Sequence, residues 1–258
     1  MRLATFNILH GRSLSDGVVD PGRLAEAVRR LDPDVLALQE VDRDQPRSNL
    51  ADLTAVAAEA MGAVSSRFAP ALLGTPGNAW TAAGTDVVPG AAYGVALISR
   101  FPALSFEVGM LPRIAFRFPL YVPDQRRVVV VHEEPRTMVT GRFETPDGPL
   151  VIVNTHLSYV PGWGRRQLWQ IRRRLAGVPG PVVVMGDLNM VGPAASRVTG
   201  YRSLARHPTF PMQRPTRQID HILARGPLGP VLSSDAPDLG LSDHRALVVE
   251  LGPRGNDH

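Results

Sequence analysis

The sequence contains no cysteine, which excludes a disulfide framework, a thiolate metal site and a cysteine nucleophile. Any metal must therefore be held by oxygen and imidazole. No run approaches the roughly 18 apolar residues of a membrane span, and Met1-Arg2-Leu3-Ala4-Thr5-Phe6-Asn7 lacks the long apolar core of a signal peptide. These absences predict a soluble, cytoplasmic protein. No Gly-x-Ser-x-Gly elbow surrounds any serine, Ser242 included, which removes the usual serine hydrolase. Lysine is absent as well: all 28 basic residues are arginine, against 24 acidic ones, for a formal charge of +4. That small excess is cancelled only as the four tyrosines ionise, near a reference pKa of about 10. The pI of about 10.2 thus overstates the basicity. Aromatic residues are only 6% of the chain and the arginines are scattered along it, so a basic, aromatic-lined nucleic-acid groove has little support.

What is present points to one α/β domain. With 258 residues, 44% of them hydrophobic, the chain can bury one sizeable core, which places the domain over residues 1–251 and a frayed tail, His258 included, over 252–258. Leu3 to Ile8 is a short apolar strand, and Asp20-Pro21 ahead of Leu24, Ala27, Val28 and Leu31 is an N-capped amphipathic helix. Strand character returns at Asp34 to Gln39 and helix at Leu50 to Met61. Strands are expected over Tyr93–Ser99, Arg127–Val131, Met138–Glu144 and Leu150–Thr155, with Asp147-Gly148 as a hairpin turn. A helix around Arg165 to Leu175, with Arg172-Arg173-Arg174 as its solvated end, precedes the run Val182–Met185 and the strands Gln218–Leu223 and Ala246–Leu251. Leu73 to Ala92, rich in Gly, Ala, Thr and Pro, reads as a wandering surface loop or a flap. Helices alternate with strands early and strands follow one another in the middle, which predicts mixed sheets covered by helices.

Polar residues stand where the apolar strands end. Leu3 to Phe6 ends in Asn7, Val35 to Leu38 in Gln39-Glu40, Val151 to Val153 in Asn154-Thr155-His156, and Val182 to Met185 in Gly186-Asp187-Leu188-Asn189. One such cluster is an ordinary turn; four of them point to a shared site, because sheet enzymes gather reactive groups at strand ends. Asp220-His221 and Ser242-Asp243-His244 add carboxylates beside imidazoles, the pairing that holds one tautomer for acid/base work. Neighbours on a strand point apart, so Asp220 is a better partner for His244 than Asp243 is.

The ordered series Thr5-Phe6-Asn7-Ile8, Leu38-Gln39-Glu40, Tyr93-Gly94-Val95-Ala96-Leu97-Ile98-Ser99-Arg100, Asn154-Thr155-His156-Leu157, Gly186-Asp187-Leu188-Asn189, Ile219-Asp220-His221 and Ser242-Asp243-His244 resembles the endonuclease/exonuclease/phosphatase superfamily over nearly the whole chain. The resemblance implies a four-layered α/β sandwich (DNase I-like), two central mixed β-sheets flanked by helices. It implies a divalent metal, usually Mg2+ with Mn2+ as a substitute, on Glu40, with Asn7 and Asp243 as ligands or close neighbours. His156 would then bind the scissile phosphate, Asp187 and Asn189 would position water and phosphate, and His244, oriented by Asp220, would act as acid/base or charged partner. Which of Asp187 and His244 takes the water's proton stays open. Arg136, expected on a strand, is a candidate second phosphate ligand, and Trp163 a candidate stacking residue or a packing residue of the following helix. The implied activity is hydrolysis of a phosphate ester by in-line attack of water, with a phosphodiester as the leading substrate. Nucleic acid, phospholipid or glycolipid phosphate are alternatives, and a catalytically silent phosphate-binding scaffold is the reading from another class.

Overall fold

Along β1 (Arg2–Asn7) successive side chains enter different cores: Leu3 packs in one, Ala4 and Phe6 in another. In β2 (Val35–Arg43), Val35 and Ala37 join Leu3, whereas Leu36 and Leu38 join Ala4. A strand buried on both faces needs a layer on each side. β10 (Gly148–His156) and β11 (Val182–Asp187) behave alike, because Ile152, Val183 and Met185 meet Leu3 and Val35 while Val153, Val182 and Val184 meet Leu168 and Ile171 of α3 (Trp163–Leu175). One core therefore lies between two sheets. A second lies under α1 (Pro21–Leu31) and α2 (Leu53–Met61), and a third under α3 and α4 (Ala194–Thr199). The result is the expected four-layered α/β sandwich, seen here in a computed structural model that describes residues 1–85, 89–114, 117–122, 127–131 and 133–255.

The first sheet runs β14 (Val231–Asp235), β15 (Leu247–Leu251), β1, β2, β5 (Ala92–Ser99), β3 (Ser65–Gly74), β4 (Trp80–Ala82). The second runs β12 (Arg202–Ser203), β13 (Asp220–Arg225), β11, β10, β9 (Thr137–Thr145), β6 (Ala103–Met110). β7 (Phe118–Val122) and β8 (Arg127–Val131) form a separate antiparallel pair. Each large sheet holds one parallel pair at its centre, β1 with β2 and β10 with β11. Parallel pairing brings two carboxyl ends to one edge. Asn7 is thereby set beside Gln39, and His156 opposite Asp187.

Several expectations needed correction. α2 starts at Leu53 and not Leu50, because the Asp52 carboxylate accepts from the N–H groups of Thr54 and Ala55 and caps the helix there. The expected loop from Leu73 is partly strand: β3 runs to Gly74 and pairs with β4, while residues 86–88 lie outside those described. β3 escaped notice because Pro70 interrupts it; its pairing with β5 shifts register between Pro70 and Leu72, where a bulge tolerates the proline. β6 was missed because Leu104 is exposed and Gly109 breaks the pattern. The tail does not leave the body at Gly252, whose N–H donates to Pro230, and Arg254 N–H reaches the Asp147 carboxylate. Residues 256–258, and His258 with them, lie outside the described residues. No helix among the described residues is long and apolar enough to cross a membrane.

Candidate active site

Glu40 occupies a bulge. β2 pairs with β5 as Gln39↔Val95 and then Val41↔Gly94, leaving Glu40 the extra residue at φ +56°. Strict alternation would send Glu40 to the helix side with Leu38; the bulge turns it to the strand edge instead. There Asn7 Nδ2 donates to Glu40 Oε1 and to Asp187 Oδ2, both at 3.1 Å, so one carboxamide ties the two sheets together. Burial raises the Glu40 pKa and Asp243 adds to the rise, while the Asn7 hydrogen bond and Arg136 oppose it.

Asp187 is the hub. Gly186 before it approaches β10 so closely that a Cβ would stand 1.9 Å from the Thr155 carbonyl oxygen, at φ +143°. Only glycine fits. Asp187 Oδ1 accepts from the Asn189 N–H at 3.0 Å, and its Oδ2 lies 3.4 Å from His156 Nε2 and 3.8 Å from His244 Nε2. Burial, reinforced by Asp220, pushes its pKa up to about 7. His244 Nδ1 is 2.9 Å from Asp220 Oδ2. Burial disfavours the imidazolium of His244, but Asp220, Asp187 and Asp243 outweigh it and raise the pKa to about 10. His156 goes the opposite way, well below the usual histidine range, through burial and then the positive charge of Arg136.

Eight of the residues singled out from sequence thus gather at one edge: Asn7, Glu40, His156, Asp187, Asn189, Asp220, Asp243 and His244. Asn189, at φ +51°, is pinned by its Nδ2 donating to the Leu157 carbonyl. Ser242 is structural, its hydroxyl donating to Asn7 O at 2.6 Å. Arg136 precedes β9 and does not lie on a strand; it is only 6% exposed, lines the cleft, and its Nε has no hydrogen-bond partner. Trp163 does not line the cleft: its indole N–H goes to Pro112 O at 3.0 Å and its ring is covered by Arg166. His221 Nε2 donates to the Met190 carbonyl, away from His244.

An open cleft of about 800 Å³ is lined by Glu40, Asp187, His156 and His244. Sequence reasoning missed its walls, among them His10, Arg47, Tyr93, Tyr159, Phe210 and Arg217. Apart from Tyr93, whose strand was expected, they come from irregular segments where no periodicity marks them. Arg47 is held by a bidentate pair with Asp42, at 2.7 and 2.8 Å, and leans over Tyr93.

Ligand atoms of Asp187, Asp220 and His244 lie within 4.8 Å of one another, close enough to share a metal. Yet Asp220 Oδ2 already accepts from His244 and from Thr209. Glu40 and Asp243 repel each other, and a hard cation bound by their carboxylate oxygens would offset that repulsion.

A sequence model described as Endonuclease/Exonuclease/phosphatase family matches residues 4–244. The chain belongs to this family. Members of the endonuclease/exonuclease/phosphatase family are hydrolases of phosphate esters, and solved structures with the same fold cover nearly all of the chain. A family protein from Beutenbergia cavernae is 26% identical at TM-score 0.71, over 98% of this chain and 72% of that one. Sphingomyelinase C from Streptomyces griseocarneus is 15% identical at TM-score 0.60, over 98% and 99%. A mannosyl-6-phosphatase of Bacteroides thetaiotaomicron is 17% identical at TM-score 0.63, over 98% and 99%. No curated protein sequence matches significantly.

Proposed function

We propose that this chain is a divalent-metal-dependent phosphodiesterase that drives water in line onto phosphorus. The observation that supports it most is the convergence of two imidazoles on one buried carboxylate: Asp187 Oδ2 lies 3.4 Å from His156 Nε2 and 3.8 Å from His244 Nε2, with burial raising the Asp187 pKa to about 7 and the surrounding carboxylates raising that of His244 to about 10. A group near 7 is matched to accepting a proton at neutral pH. Asp187, steadied by Asn7 and Asn189, takes the proton of the attacking water. His244, already charged, donates to the phosphoryl oxygens or to the leaving oxygen and stabilises negative charge there. His156, kept neutral, hydrogen-bonds the scissile phosphate, and Arg136 brings a fixed positive charge to the same cleft. Glu40, Asn7 and Asp243 would hold the metal, Mg2+ with Mn2+ as substitute, which would polarise a phosphoryl oxygen and neutralise its charge.

The cleft volume suits a small ester or a headgroup. A phospholipid or glycolipid phosphoesterase is favoured as a second reading by Tyr159 and Val191, 49% and 55% exposed on the cleft rim, and by the likeness to a sphingomyelinase. The test is hydrolysis of bis(p-nitrophenyl) phosphate, a choline phospholipid, DNA and RNA with Mg2+, Mn2+ or EDTA. We expect turnover that EDTA abolishes and that His244→Ala lowers by about a hundred-fold or more. Turnover indifferent to EDTA and to that substitution would overturn the mechanism, and a protein silent on every ester would favour a phosphate-binding scaffold.

A further inference from the structure

Asp220 is fully buried and serves two donors through one oxygen: the hydroxyl of Thr209 and Nδ1 of His244 both bond Oδ2, while Oδ1 has no partner. The two oxygens of a carboxylate are interchangeable by rotation. With only His244 attached, the plane of Asp220 would be fixed by a single bond. The Thr209 hydroxyl makes the second contact and removes that freedom.

Thr209 is itself held rigidly. Its side chain is fully buried, its N–H donates to Arg217 O at 2.9 Å, and its carbonyl accepts from Arg245 N–H at 2.8 Å. Phe210, next in the chain, lays its ring 5.0 Å from the His244 imidazole, and Arg217 covers that ring at 4.9 Å. The segment from Thr209 to Arg217 is closed on itself by hydrogen bonds between Phe210 and Arg217. One loop therefore grips Asp220 with a hydroxyl and packs a ring on His244.

We propose that Thr209 is a positioning residue, which sets the plane of Asp220 and through it the direction of His244 Nε2 toward Asp187. This rests on the reading of His244 as the charged partner in hydrolysis. Thr209 is fully buried and does not line the cleft. Its loss should therefore weaken turnover and leave substrate affinity in place.

The test compares Thr209→Val, which keeps the shape and loses the hydroxyl, with Thr209→Ser, which keeps the hydroxyl. We expect Thr209→Val to lower kcat by about ten- to a hundred-fold with KM within about twofold, and Thr209→Ser to retain most of kcat. A substrate-independent readout is the His244 Nδ1–H resonance in 15N-labelled protein, identified by its absence in His244→Ala. It should persist in the wild type and in Thr209→Ser, and broaden or vanish in Thr209→Val. Should Thr209→Val not fold, Thr209→Ala takes its place with the same expectations. Val and Ser variants that fall together, or a Val variant with wild-type kcat and an unchanged resonance, would overturn the proposal. If the wild type hydrolyses none of the esters, the functional reading fails and the resonance alone decides the role of Thr209.

Discussion

Gln39 and Asn154 meet across the two sheets: Gln39 Nε2 donates to Asn154 Oδ1 at 2.7 Å, and Asn154 Nδ2 donates to the carbonyls of Leu38 and Ala96. Both residues are fully buried, and Gln39 Nε2 also reaches Thr5. The bond lies one residue before Glu40 and two before His156. It thus fixes how the sheet carrying Glu40 sits against the sheet carrying His156. Asn154→Leu removes three buried hydrogen bonds at once, one with Gln39 and two with the carbonyls of Leu38 and Ala96. A loss of about 2–4 kcal/mol is expected in urea unfolding. An unfolding midpoint within error of wild type would show that the contact carries no stability.

Glu40 has no arginine partner within ion-pair distance among the described residues, and burial already raises its pKa. Glu40→Gln removes a partly buried charge that its surroundings disfavour, so the metal-free variant should unfold no earlier than wild type. A metal that binds the folded state raises Tm by mass action. Mg2+ or Mn2+ should therefore raise Tm of the wild type and leave Glu40→Gln unmoved. An equal metal-induced rise in both proteins would place the ion elsewhere, with the Asp187, Asp220 and His244 cluster the first alternative.

His221 is buried against the Met190 carbonyl and its pKa is lowered from 6.5, first by burial. The unfolded chain therefore takes up a proton at His221 before the folded protein does, and stability falls as pH drops below about 6.5. His221→Leu forfeits the neutral hydrogen bond but also the proton-linked penalty. The Tm gap between wild type and His221→Leu should be widest at pH 7 to 8 and should narrow toward pH 5. A gap that widens on acidification would mean that the folded protein holds His221 charged.

The strands and the polar residues that end them were legible because burial on both faces leaves an unbroken apolar run, and each polar residue after it stands out, as with Asp187 after Val182–Met185. The partner of His244 was legible too, since adjacent residues on an extended chain cannot face each other. The cleft walls were not. Phe210 lies in an irregular loop, and Arg47 sits inside a short 3-10 turn. Their positions depend on contacts between segments far apart in sequence, which no local pattern encodes. Trp163 shows the converse, a conspicuous aromatic whose N–H is spent on the Pro112 carbonyl.

Arg136 separates stability from function. Its guanidinium is buried beside the cleft with an unpartnered Nε, and no carboxylate among the described residues lies within ion-pair distance of it. Its charge depresses the His156 pKa and opposes the rise at Glu40. A buried cation without a partner costs stability, and a phosphate in the cleft would supply the missing anion. Arg136→Met should therefore raise Tm or leave it unchanged while weakening phosphate-ester binding by about tenfold or more in KM. Inorganic phosphate gives a readout without turnover: it should raise Tm of the wild type and do so less in Arg136→Met. A variant that loses stability and keeps its KM would make Arg136 a packing residue of the strand entry, with His156 left as the phosphate contact on that wall.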